Sequence, residues 1–221
     1  MYGLPESTTV NRKIPKKRFY ENINISPALK RSFVEEIQAI YWSNKIAPSL
    51  VNIQEGCEVK ELEVFTIELN KQLLNEAVLR QIDREIPYHI LFILKFEGKC
   101  QAWIAFKEAS GNNQIAFKVD SYYHTEWLLE QNLVLIVDGL NTDEVYENFV
   151  RQIAGDALKG ESAESLKESV ERNNRREELE KKIEKTEAAA WKETQPKKRF
   201  DLYSKLQKYK NELEELKHGE T

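Results

Sequence analysis

The sequence predicts an α/β protein, a small mixed sheet with flanking helices, followed by a C-terminal antiparallel helical hairpin of coiled-coil character. Three observations carry this. ELEVFTIELN alternates with period two: Phe65, Ile67 and Leu69 share one face, Val64, Thr66 and Glu68 the other. A helix-period segment over 75–85 leads into HILFILK, an almost unbroken apolar run over 89–95. After Gly160 no glycine recurs until Gly219, Pro196 is the only proline, and charged residues dominate.

In chain order, Ser26-Pro27 reads as an N-cap with proline at the first helical position. Leu29, Phe33, Ile37, Ile40 and Tyr41 follow at helical spacing, which predicts a helix running to about 44–48. The strand at ELEVFTIELN comes next, then a helix with Val78, Leu79, Ile82 and Ile86 inward, stopped by Pro87. Strand, helix and apolar strand form a crossover unit, so HILFIL is predicted to lie centrally, parallel to FTIEL. Glu97-Gly98 is the turn of a hairpin into QAWIAFKE. A loop at 110–113 leads to a strand over 114–123 with Ile115, Phe117 and Val119 in alternation. LVLIVDG is either an edge strand or a covering segment. Asn141-Thr142 caps a helix with Val145, Phe149 and Ile153 inward, ended by Gly155.

The tail reads as two helices broken at Thr194-Gln195-Pro196. Leu202, Leu206, Tyr209, Leu213 and Leu216 recur at spacings of 4, 3, 4 and 3, an a/d stripe. So narrow a stripe is marginal alone and gains from docking on the core, on a second copy as a homodimer, or on another protein. The predicted divisions are a basic N-terminal arm over 1–25, an α/β core over 26–160 and the hairpin over 161–221.

Composition narrows the function. Residues 1–20 carry Arg12, Lys13, Lys16, Lys17 and Arg18 against Glu6; 156–221 hold sixteen charges of each sign; 21–155 hold twenty acidic and twelve basic residues. An acidic globule is a poor surface for bare DNA, although the basic arm could touch phosphates or an acidic partner. No apolar run approaches the roughly 20 residues of a membrane span, and 1–18 lack the apolar centre of a signal peptide. Cys57 and Cys100 make no framework and are expected to be reduced, partly buried thiols of a cytoplasmic protein. Three histidines, none at ligand spacing, leave no metal set, and no cofactor motif is present: neither G-x-x-x-x-G-K-[ST] nor G-x-G-x-x-G occurs.

Candidate catalytic residues are few. Glu58-Val59-Lys60 has the E-x-K form of metal-dependent nucleases, where carboxylates hold Mg²⁺ and the ammonium steadies water or phosphate. No aspartate precedes it, the first being Asp83. Asp120, His124 and Glu126, with Glu68, could build an acid/base or metal site, against the plainer reading of an edge strand entering a polar loop. At the hairpin turn, Trp191 and Lys192 precede Lys197, Lys198, Arg199 and Phe200, a mixture of cations and rings that suits a base or a phosphate. The expected use of Trp191 and Phe200 is to pack on each other and close the hairpin.

Four blocks together suggest kinship: GLPEST-x-VNRKIPKKRFYEN, IDREIPYHILFIL, VDGLNTDEVYENFVRQIA and W-x-x-x-x-x-KKRFDLYSKLQKYKNELEEL. They resemble a bacterial family, domain of unknown function 4391, over almost the whole chain and in order. Gln195-Pro196 departs from the plainer stretch expected there. The resemblance carries over no catalytic residue. It implies an accessory protein encoded beside superfamily-two helicases and DNA methyltransferases, in restriction-modification or anti-phage defence sets. The expectation is therefore a non-catalytic adaptor whose stripe, Leu202, Leu206, Tyr209, Leu213 and Leu216, docks on such a partner. The alternatives are a metal-dependent nuclease of that system and a nucleic-acid-binding module using the basic arm and Lys197, Lys198 and Arg199.

Overall fold

The computed structural model describes residues 2–21, 24–109, 117–159 and 164–218. The expected loop at 110–113, Ile115 and the boundary at Gly160 lie outside them. The chain divides into two compact units, Met1–Gly155 and Asp156–Thr221.

The first unit is built on a sheet of order β1-β2-β3-β4-β5-β6, with β7 paired to β5. The strands are β1 (Thr9–Ile14), β2 (Ile37–Ile46), β3 (Leu62–Leu69), β4 (His89–Phe96), β5 (Lys99–Ala109), β6 (Phe117–His124) and β7 (Leu128–Leu129). The helices are α1 (Pro27–Glu35), α2 (Pro48–Val51), α3 (Glu76–Glu85) and α4 (Thr142–Ala154). As expected, β3 and β4 are parallel and central, joined through α3. The β4–β5 hairpin turns on Glu97 (φ 45°) and Gly98 (φ 76°), the two positive values of a type I′ turn. Ser26, Asn75 and Asn141 cap α1, α3 and α4 through side-chain oxygens that accept backbone N–H groups.

Two predicted elements differ. The helix from Pro27 stops at Glu35, and Ile37–Ile46 is a strand. Ile37, Ile40 and Tyr41 fit a helical period, but IQAIYWSNKI is rich in β-branched and aromatic residues that also fit a pleated sheet. Tertiary partners decide between them. Lys16 Nζ donates to Val34 O (3.1 Å) and Ile37 O (2.6 Å), while Asn70 donates to Glu35 O and Glu36 O (2.9 and 2.8 Å). The carbonyls that would have continued the helix are thus taken. The second difference is at the N-terminus. Thr9–Ile14 of the expected arm is an edge strand on β2, and Phe19 and Tyr20 are core residues. The LVLIVDG stretch covers the unit without joining the sheet: Leu133 and Leu135 are buried, and Leu135 N donates to Tyr2 O (2.8 Å).

One sheet face carries α1 and α3, with Ile90, Phe92 and Leu94 of β4 packed among Phe33, Val78 and Ile82. The opposite face carries α4, whose Tyr146 meets His89 edge-on at 4.4 Å. A polar network ties the two faces at one end of the sheet. Lys107 of β5 and Asp83 of α3 form an ion pair at 2.7 Å with side chains 1% and 0% exposed. The Tyr122 hydroxyl also donates to Asp83, and Lys107 Nζ donates to Tyr88 O at 2.7 Å. Pairing of β5 with β4 ends at Leu91↔Ile104. Beyond it the Tyr146 hydroxyl accepts from Lys107 N (3.0 Å) and donates to Ala105 O (2.7 Å). Burial pushes the Asp83 carboxyl upward against the pull of Lys107, and it pushes the His89 imidazole down to about 3, so that ring is neutral.

The second unit is α5 (Leu166–Lys192) and α6 (Pro196–His218), packed on each other. Ser165 and Glu168 form a capping box at the start of α5. The turn falls at the expected break. Arg175–Glu212 (3.1 Å) and Lys210–Glu187 (3.5 Å) cross between the helices.

Removing one partner of the buried pair leaves an uncompensated charge. Asp83→Ala is expected to lower unfolding free energy by about 3–5 kcal/mol, while Asp83→Leu combined with Lys107→Met recovers most of it. Urea denaturation of the three proteins checks this.

Candidate functional site

A cleft opens at the N-terminal ends of the parallel strands β3 and β4. It encloses about 210 Å³. Its walls are Phe19, Trp42, Phe65 and Tyr88, with the Glu63 carboxylate among them and Arg18 and Glu85 at the exposed rim. Each wall has a separate origin. Phe19 comes from the short turn after β1, Trp42 and Phe65 are a directly opposed pair on β2 and β3, and Tyr88 enters β4. Tyr88 is held by the Lys107 ammonium on its carbonyl, so the buried ion pair also sets this wall.

Glu63 is only 4% exposed. The Trp42 indole Nε1 donates to its carboxylate at 2.5 Å. Lys45, opposite it in the β2–β3 register, is ion-paired with Glu61 at 2.6 Å. Among the described residues no lysine or arginine forms an ion pair with Glu63. Burial, followed by repulsion from Glu61, raises the Glu63 carboxyl to about 7, with Trp42 and Lys45 opposing. A buried carboxylate that titrates near neutrality in a mostly apolar cleft has the character of a binding or acid/base group. The sequence held a signal for it: Glu63 is in phase with Phe65, Ile67 and Leu69, a charge on the apolar face of the alternation.

The candidates for nuclease chemistry are not gathered together. Glu58 sits in the loop before β3, its N–H donating to Asp143 (3.1 Å) beside those of Cys57 and Val59 (2.7 Å each). That loop clasps the N-terminus of α4. Glu68 lies near the far end of β3, opposite Lys95. Asp120 is on β6, three strands from β3, which is about 14 Å at the usual strand spacing. It is the extra residue of a bulge, since Phe106 opposes Ser121 and Lys107 opposes Val119. The His124 ring packs on Trp103 at 4.3 Å, and Gln101 Nε2 meets its Nδ1 at 3.1 Å. Among the described residues no group of three His, Cys, Asp or Glu side chains could hold a metal ion.

The basic residues of the N-terminus also have separate places. Lys16 caps α1, Lys17 pairs with Glu21 (3.6 Å), Lys13 lies over the Tyr41 ring, Arg12 faces Trp42 in register and Arg18 is at the cleft rim. Cys100 is buried, whereas Cys57 is exposed, unlike the expected half-burial of both.

On α6 the stripe is the least exposed face. Leu206 is 6% exposed, and Leu202, Tyr209, Leu213 and Leu216 are half-buried. The turn differs from expectation: Trp191 and Phe200 are 75% and 71% exposed, so they do not close the hairpin by packing on each other. The three-residue connection starts α6 at Pro196, leaving Trp191 on the last turn of α5 and Phe200 on the outer side of α6. Lys197, Lys198 and Arg199 occupy the exposed first turn of α6, with Arg199 over Tyr203 at 5.7 Å.

This architecture defines a mixed α/β protein with a helical-hairpin extension. The chain belongs to the family described as Domain of unknown function (DUF4391), whose model matches residues 2–213. No curated protein and no solved structure matches it. Among the described residues, no helix is long and apolar enough to cross a membrane.

Glu63 gives a pH signature. Its carboxyl is raised in the folded chain from an ordinary 4.5 to about 7, so between these values the folded state holds more protons than the unfolded. Its contribution is present below pH 4.5 and lost as pH rises through about 7. Stability of Glu63→Gln, followed by thermal unfolding across this range, is expected to fall less steeply with rising pH than that of the wild type.

Proposed function

We propose that this chain is a non-catalytic accessory subunit that works by protein–protein contact, with the α5–α6 hairpin as its contact element. The observation that carries this reading is the hairpin tip. Trp191, Phe200 and Tyr203 stand exposed beside three cations on the first turn of α6. Exposed rings with basic neighbours are the composition of interface anchors. Cations at a helix N-terminus also oppose the helix dipole, at about 0.3–1 kcal/mol each at low salt, a local cost that an acidic partner surface would offset. Part of the leucine stripe serves the hairpin itself, and the open sides of Leu202, Tyr209, Leu213 and Leu216 extend the contact surface. From the family resemblance, the partner proposed is a helicase or DNA methyltransferase of a defence system, in the cytoplasm.

The test is co-purification with such a helicase or methyltransferase, quantified by titration. Trp191→Ser with Phe200→Ser is expected to weaken binding at least 30-fold, the scale of lost hot-spot residues, without changing thermal unfolding. Leu206→Asp is expected to loosen the hairpin and lose binding with it. Unchanged affinity in the tip variant would place the contact elsewhere and end this reading.

A nucleic-acid-binding module is the second reading, favoured by the interleaving of Lys197, Lys198 and Arg199 with Phe200 and Tyr203. It predicts quenching of Trp191 fluorescence by a single-stranded oligonucleotide, with affinity falling steeply as salt rises. No quenching at low salt removes it.

A further inference from the structure

The cleft at Glu63 plays no part in the hairpin reading, and its walls have a specific chemistry. Four aromatic side chains, Phe19, Trp42, Phe65 and Tyr88, come from four separate segments to surround one small space. A ring face carries negative charge density and attracts a cation. The one buried charged group among them is the Glu63 carboxylate, with its neighbour Lys45 already engaged by Glu61. The rim adds Glu85 and Arg18, so the lining carries two acidic groups and one basic group. A neutral apolar ligand would add no positive charge to answer the carboxylate beyond its hydrogen bond from Trp42, and an anion would be repelled by it. The volume of about 210 Å³ is below the roughly 300–1,000 Å³ of pockets for drug-sized ligands.

We propose that this cleft binds a small organic ammonium ion, with its charge against the Glu63 carboxylate and its alkyl body among the rings of Phe19, Trp42, Phe65 and Tyr88. The ammonium group adds a positive partner within the cleft, since Lys45, the cation nearest Glu63 in the sheet, is ion-paired with Glu61. Trp42 serves twice, orienting the carboxylate through its indole N–H and offering its ring as a wall. Glu61, Lys45 of β2 and Trp42 of β2 act on Glu63 directly, and Arg18 from the turn after β1, Glu85 from the end of α3 and Tyr88 at the entry to β4 are the other titratable groups lining the cleft. Protonation of Glu63 removes the charge the ligand requires, so binding strengthens as pH rises through neutrality.

The test is a titration of the ¹⁵N-labelled full-length chain, read at the indole N–H resonance of Trp42, which is identified by its loss in Trp42→Phe. The probes are n-butylammonium chloride, 1-butanol of similar shape but no charge, and sodium butyrate. The expected result is a saturable shift with butylammonium at pH 8, at least tenfold weaker with butanol and absent with butyrate. At pH 6 the butylammonium affinity is expected to be at least fivefold lower. Glu63→Gln is expected to abolish the response. Tyr88→Leu, which alters a partly exposed wall, is expected to weaken it about two- to fivefold. Nα-acetyl-lysine methylamide separates the sources of the ammonium group. A matching shift extends the site to a lysine side chain, and no shift confines it to free amines; both support the proposal. Equal responses to butanol and butylammonium, an unchanged response in Glu63→Gln, or no saturable shift would overturn it.

Discussion

The Asp83–Lys107 ion pair is the interaction on which the arrangement of the first unit depends. It is fully buried, and each end holds something else. Asp83 fixes the last turns of α3 against Tyr122 on β6. Lys107 fixes the Tyr88 carbonyl at the entry to β4. The backbone at Lys107 is held in turn by the Tyr146 hydroxyl from the opposite face. One helix, three strands and the second helical layer therefore meet at a single point. Such a pair gains little net energy over an apolar substitute of similar volume, because desolvating two charges costs about as much as their attraction returns. What it contributes is registry. The β5–β6 bulge at Asp120 and the end of α3 must agree in position for the two charges to meet.

The same constraint shapes the cleft. Its Tyr88 wall stands beside the peptide anchored by Lys107, and Pro87 and Ile86 lie in the short segment between that anchor and α3. Across from them, Glu63 is held under Trp42 on the central parallel pair, among the most covered strands of the sheet. A carboxylate in that position is costly unless something answers its charge. Burial shifts its titration into the neutral range, whereas the exposed carboxylates of the hairpin face solvent or nearby lysines.

Much of the fold was legible in the sequence because local chemistry and tertiary structure agree there. The β3–α3–β4 unit, the Glu97-Gly98 turn, the Asn141 cap and the break at Pro196 each rest on a strong local signal: period-two alternation, a side-chain cap, a turn requiring positive φ, or proline. The β2 strand was hidden because Ile37, Ile40 and Tyr41 fit a helical period, while the β-branched and aromatic residues of the segment also suit a pleated sheet. Only the capture of carbonyls by Lys16 and Asn70 resolves them. The β1 strand was hidden because an edge strand with one exposed face and two cations, Arg12 and Lys13, looks like a solvated leader. The cleft was half legible. Glu63 is visibly out of place on an apolar face, but Phe19, Trp42 and Tyr88 lie far from it in sequence and carry no spacing that joins them.

The sequence by itself determined the fold class, the parallel central pair, the helical hairpin and the family, since these follow from periodicity and punctuation that neighbouring residues carry. Tertiary structure alone decided which charges are buried, which basic residues are tied to backbone carbonyls, and which aromatic rings stand open. Those outcomes depend on contacts between residues such as Asp83 and Lys107 that are distant along the chain. Their free energies arise from solvent exclusion that no local pattern records.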